Sequence, residues 1–76
     1  MKMSNSNNWI SDVIDCVNDI DSEIFDLNDV YRYVDVLKEK HPLNNNVEAK
    51  IRQQLQVMRD EGFIEFLGNG VYKKLH

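Results

Sequence analysis

The stretch Asn44-Asn45-Asn46-Val47-Glu48-Ala49-Lys50-Ile51-Arg52-Gln53-Gln54-Leu55-Gln56 decides how this chain is read. Val47, Ile51, Leu55 and, just beyond it, Met58 recur at helical spacing and define one apolar stripe. At about 100° per residue, the opposite side carries Ala49, Arg52, Gln53 and Gln56, with Asn45 and Asn46 at its mouth. Lys50 lies on one flank and Arg59 on the other, and Gln54 turns toward the core stripe. Asn45 followed by Glu48 has the spacing of a capping box, and Gly62 suits the C-terminal stop. One face of this helix is therefore amides and cations, although the chain as a whole carries a net charge of −4.

The acidity lies elsewhere. Residues 1–36 hold eight acids and two bases, and residues 37–76 hold five acids and seven bases. An anion meets the second half of the chain on better terms than the total charge implies.

Working outward, Phe63 to Leu67 and Val71 to Leu75 are strand-like runs around Gly68-Asn69-Gly70, a hairpin pattern. Phe63, Phe66 and Tyr72 read as hairpin core. Toward the N-terminus, Glu23 to Leu27 reads as a short extended segment, good for a single β-bridge. Asn28 is placed to cap a second helix, with Leu27 as its staple and Val30, Val34 and Leu37 inward. Tyr31 and Tyr33 fall at the edges of that helix. His41, ahead of Pro42, reads as a turn residue. Trp9, Ile10, Val13, Ile14, Val17 and Ile20 form the inner face of a first helix, capped by Asn8. Asp12, Asp15 and Asp19 lie off that face as solvated surface. Residues 1–7 read as a frayed, disordered terminus, and residues 8–76 as one domain.

The resulting order is helix, short strand, helix, helix, hairpin. That is an α+β winged helix-turn-helix, with three helices, a small antiparallel sheet and a β-hairpin wing. With 76 residues, a chain of this size buries only about 60% of its unfolded surface. It has room for a binding face and little room for an enclosed catalytic site. Cys16, the single cysteine, forms no intrachain disulfide and reads as a buried thiol. With His41 and His76 as the only histidines, no zinc site is expected, and no cofactor. No apolar run has the length of a signal peptide or membrane span, so the expected location is cytoplasmic. Glu48-Ala49-Lys50 matches the E-x-K half of a nuclease metal motif, but it opens a helix where that motif needs a strand, so it is read as non-catalytic.

The outer residues of the third helix suit base edges in a DNA major groove. Asn and Gln pair with adenine N6 and N7, and Arg and Lys with guanine O6 and N7, at about 1–3 kcal/mol per good bidentate pair. The same residues also serve as a plain solvated face, because Gln and Arg are good helix formers.

The run Ile51-Arg52-Gln53-Gln54-Leu55-Gln56-Val57-Met58-Arg59-Asp60-Glu61-Gly62-Phe63-Ile64-Glu65-Phe66-Leu67-Gly68-Asn69-Gly70-Val71-Tyr72 resembles the C-terminal winged-helix domain of the DpnI and Dam-replacing family of methyl-directed restriction endonucleases. The resemblance extends back through His41 to Lys50 and Glu23 to Tyr31. It implies a reader of double-stranded GATC carrying N6-methyladenine. It also implies a separate PD-(D/E)xK nuclease domain in a parent protein, with no cleavage by the residues of this chain. The expected interface comprises Asn44, Asn45, Asn46, Ala49, Lys50, Arg52, Gln53 and Gln56, with Asn69, Lys73 and Lys74 from the wing. A monomer is expected. Two other readings fit the residues: a protein-interaction winged helix with an acidic docking face, and a transcriptional regulator reading an unmethylated operator.

Overall fold

The computed structural model describes residues 8–75. The expected frayed segment 1–7 and the capping role of the Asn8 side chain lie outside the described residues. Within them the order is α1 (Asn8–Asp19), β1 (Ile24–Asp26), α2 (Leu27–Tyr31), α3 (Val34–Lys40), α4 (Val47–Asp60), β2 (Ile64–Gly68) and β3 (Val71–Lys74). The strands form one antiparallel sheet in the order β1-β3-β2. This is the α+β winged helix-turn-helix expected from the sequence.

Three local features here depart from expectation. The segment 24–26 is a true strand, paired with β3 from Ile24 opposite Lys73 to Asp26 opposite Val71. Because Asp26 ends that strand, the next helix starts at once at Leu27. Asp26, not Asn28, is its cap: the Asp26 carboxylate accepts from the Asp29 N–H at 2.9 Å, and the Asp29 carboxylate accepts from the Asp26 N–H at 3.0 Å. The expected second helix is also two pieces. The chain tightens at Arg32-Tyr33, where the Tyr33 N–H donates to the Val30 carbonyl at 2.9 Å in a tighter i→i−3 bond.

The core follows the apolar stripes. Val13 and Val17 of α1, Phe25 of β1, Val30, Leu37, and Val47, Ile51, Leu55 and Met58 of α4 are buried, as is Ile64 of β2. Each such side chain contributes about 1.5–3 kcal/mol by leaving water. Gln54 is buried with them, as its place on the stripe foretold. α4 ends in a Schellman turn. Gly62 takes φ +86°, its N–H donates to the Arg59 carbonyl at 3.1 Å, and the Phe63 N–H donates to the Met58 carbonyl at 2.9 Å.

The wing turns at Asn69 and Gly70, both with positive φ (55° and 75°), as a two-residue type I′ hairpin requires. A shift in pairing between Phe66 and Gly68 leaves Leu67 without an opposite residue, so the wing bends there. The hairpin aromatics are less enclosed than expected. Tyr72 is half-buried and stacks on Phe25 with ring centroids 5.5 Å apart, but Phe63 and Phe66 are exposed at 41% and 45%. The three-stranded sheet covers one flank of α4 and leaves these rings at its margin.

The first helix is tied to the turn before α4 by a polar cluster. Trp9 is buried and stacks on His41 at 4.0 Å, and His41 Nε2 lies 2.7 Å from the Asp12 carboxylate. Lys40 reaches the other Asp12 oxygen at 3.6 Å. Asp12 is thus a structural partner instead of the solvated residue expected; Asp15 is exposed, and Asp19, also exposed, accepts from the Tyr33 hydroxyl at 2.8 Å. Burial first, then the charges of the neighbouring aspartates, raises the Cys16 thiol pKa to about 11.

Candidate nucleic-acid interface

The Asn run builds the entrance to α4 through local hydrogen bonds. The Asn44 N–H donates to the His41 carbonyl at 3.1 Å. The Asn44 side-chain oxygen accepts from the Asn46 N–H at 2.8 Å, and the Asn46 side-chain oxygen accepts from the Ala49 N–H at 3.1 Å. Asn46 is therefore the cap, not Asn45. Three adjacent asparagines are equally able to cap, and burial of Val47 selects the register. With Asn46 in that role, Glu48 is an exposed first-turn acid, where its charge suits the positive end of the helix.

This arrangement gathers Asn44, Asn45, Asn46, Ala49, Lys50 and Gln53 around one open concavity. These are six of the eleven residues expected at the interface. Ala49 forms a low floor, with amides and one ammonium around it. The hydrogen-bond ladder gives the six residues distinct characters. The oxygens of Asn44 and Asn46 already accept backbone N–H groups, so these two side chains present their NH2 groups as donors. Asn45 and Gln53 are exposed.

Arg52 and Gln56 lie elsewhere, in a groove between α4 and the wing that is also lined by Arg59, Phe66 and Tyr72. The Arg52 guanidinium donates to the Tyr31 hydroxyl at 2.9 Å, which leans it toward α2. The rings of Phe66 and Tyr72 are 5.4 Å apart. Burial raises the Tyr72 pKa, with Arg59 and Arg52 opposing that shift. The spacing of Arg52, Gln56 and Arg59 already places them on one side of the helix; their union with Tyr31, Phe66 and Tyr72 is tertiary, so no window of sequence displays it.

The three wing residues fall outside both concavities. Asn69 stands exposed at the turn. Lys73 is 3.9 Å from the Glu23 carboxylate. Lys74 corrects the expectation most clearly. It turns inward, its ammonium donating to the Ile20 carbonyl, and it lines a cleft with Ile14, Val17, Met58 and Ile64 on the α1 side. Strand alternation places Lys74 on the face of Tyr72, so only Lys73 of the pair points away from the core.

No group of three or more His, Cys, Asp or Glu among the described residues is arranged to hold a metal ion, and no helix among them is long and apolar enough to cross a membrane. Glu48 and Lys50 stand on the first turns of a helix, not on a strand.

The family model described as the Dam-replacing HTH domain matches residues 5–74. The chain belongs to that family. The match spans every helix and strand described above. The family thus fixes DNA binding as the domain's general role, and a helix-turn-helix domain of this kind is a binding module and not itself catalytic.

Proposed function

We propose that this domain reads double-stranded DNA at GATC sites whose adenine carries an N6-methyl group, as the sequence-recognising part of a methyl-directed restriction system. The mouth of α4 enters the major groove. The observation that carries this reading is the concavity floored by Ala49 and rimmed by amides.

In a paired duplex the remaining N6–H of N6-methyladenine bonds to the thymine O4, so the base shows the major groove its N7 acceptor and the methyl group, beside the thymine O4 acceptor. Its recognition needs a donor for N7 and a small apolar surface for the methyl. Asn45 and Gln53, both exposed, offer amide NH2 groups to N7 or the thymine O4 and their methylene stems to the methyl. The NH2 groups of Asn44 and Asn46 supply donors. The Ala49 methyl gives the apolar contact without filling the space, and Lys50 suits the guanine of the same site. In a fully methylated palindrome the two methyl groups lie close together across the groove, within the span of one helix end. Cleavage is assigned to a nuclease domain of a parent protein.

The test is an equilibrium titration of the protein against otherwise identical GATC duplexes with both, one or neither adenine methylated. The expected order of affinity is both, then one, then neither. Equal affinity for all three would remove the methyl-reading claim while leaving general DNA binding intact.

A further inference from the structure

We infer that the groove between α4 and the wing, with Arg52 and Arg59 beside Tyr31, Phe66 and Tyr72, is a site for the DNA sugar-phosphate backbone and takes no part in reading bases. The inference rests on the domain binding duplex DNA, and it assigns the two arginines a different task from the mouth.

Four observations converge on it. First, Arg52 is held sideways. Its bond to the Tyr31 hydroxyl at 2.9 Å draws the guanidinium off the helix crest toward α2, whereas a residue reading guanine O6 and N7 must project along the crest. Second, Arg59 lies two turns further along the same groove, about 10 Å at 1.5 Å per residue. Phosphates along one DNA strand repeat at several ångströms, so two cations on this scale suit one strand's backbone. Arg59 pairs with its neighbour Asp60 at 3.4 Å, an exposed pair that a phosphate readily replaces. Third, the wall is aromatic. Exposed Phe66 and half-buried Tyr72 offer an apolar surface for deoxyribose, with the Tyr31 hydroxyl as a further polar group. Fourth, the groove contains no carboxylate among its lining residues, in a chain with thirteen acids. A protein of net charge −4 that binds DNA needs such an acid-free lane.

The mouth therefore sets which site is bound, and the groove sets how tightly any duplex is held. The two contributions separate by salt dependence, since each neutralised phosphate contributes a slope of about −0.9 in log K against log salt.

The experiment compares wild type with Arg52→Gln, Arg59→Gln and the double variant, by fluorescence anisotropy on methylated and unmethylated duplexes over a salt series. Gln keeps helix propensity, and both positions are exposed, so circular dichroism is expected to match wild type. The expected result is weaker binding to both duplexes by the same factor, roughly tenfold per arginine. The salt slope falls by roughly 0.9 per arginine, and the methylated-to-unmethylated ratio is unchanged. Either of two results would overturn the inference while leaving methyl reading in place: variants that lose the methyl or base preference at an unchanged slope, or variants that bind as wild type does. If the wild type binds the duplexes without methyl preference, the slope still decides the groove's role. If it binds no duplex at all, both proposals fall.

Discussion

The two concavities along α4 differ in chemistry. At the N-terminal end, short amides and an alanine surround a shallow opening, and the hydrogen bonds that cap the helix also fix its rim. Toward the C-terminal end, long cationic side chains lie against aromatic rings supplied by the wing, and a tyrosine of α2 holds one of them. Rigid, short groups suit discrimination between bases, because a misplaced atom then costs a hydrogen bond. Long cations suit a charged polymer whose position varies little with sequence. The contrast explains how an acidic domain meets DNA: the residues lining the groove include two arginines and no acid.

Several substitutions would break or sharpen this contrast. The largest effect is expected from Ala49→Leu, which fills the mouth. Binding to the methylated duplex should fall on the order of 100-fold, since at least one base contact worth about 1–3 kcal/mol is displaced along with the methyl. Binding to unmethylated DNA should change little. Next, Gln53→Ala or Asn45→Ala should each reduce affinity by roughly 1–3 kcal/mol on the methylated duplex alone, with the salt slope intact. Loss on both duplexes would blur the division between mouth and groove. Tyr31→Phe should have a smaller effect, releasing Arg52 and weakening all duplexes by a few-fold at constant methyl preference.

A further variant separates the rim's two duties. Asn46→Ala removes the cap and should lower stability by about 1 kcal/mol, a shift of about 4–8 °C in the melting temperature of a domain this size. Cys16 supplies a control for all the others. Its thiol pKa is raised to about 11 from 9.0, so the folded state holds the proton where the unfolded state has released it. Stability is therefore expected to be intact below pH 9 and to decline as pH rises toward 11. At pH 8, thiol modification should be slow in every variant that remains folded. Fast modification would show that a substitution had unfolded the domain instead of removing a DNA contact.

Much of the fold was legible because α4 has an unambiguous stripe. Val47, Ile51, Leu55 and Met58 are all buried, and Gln54 joins them as its angle required. Gly62 and the Gly-Asn-Gly turn were legible because their positive φ values leave few other residues suitable. The caps were less so. Asp26 and Asn28 both have capping side chains, and the choice was made by β1, whose pairing with β3 holds the chain extended through Asp26. Among Asn44, Asn45 and Asn46 the choice was made by packing of Val47. The break at Arg32-Tyr33 carries no Gly or Pro to announce it. The inward turn of Lys74 depended on strand alternation together with the carbonyl at the end of α1, a contact across 54 positions of sequence. Six expected site residues converge at the mouth because they share one helix end. The groove residues were scattered across α2, α4 and the wing, and their meeting is a property of the folded chain.

The most direct test of the central claim is the position of the methyl group itself. A GATC duplex carrying 13C-labelled N6-methyl groups, bound to the domain, can be examined for intermolecular nuclear Overhauser effects. Contacts are expected from the adenine methyl protons to the Ala49 methyl and the Gln53 side chain, with none to the rings of Phe66 or Tyr72. Methyl contacts to those rings, in the groove beside Arg52 and Arg59, would contradict it.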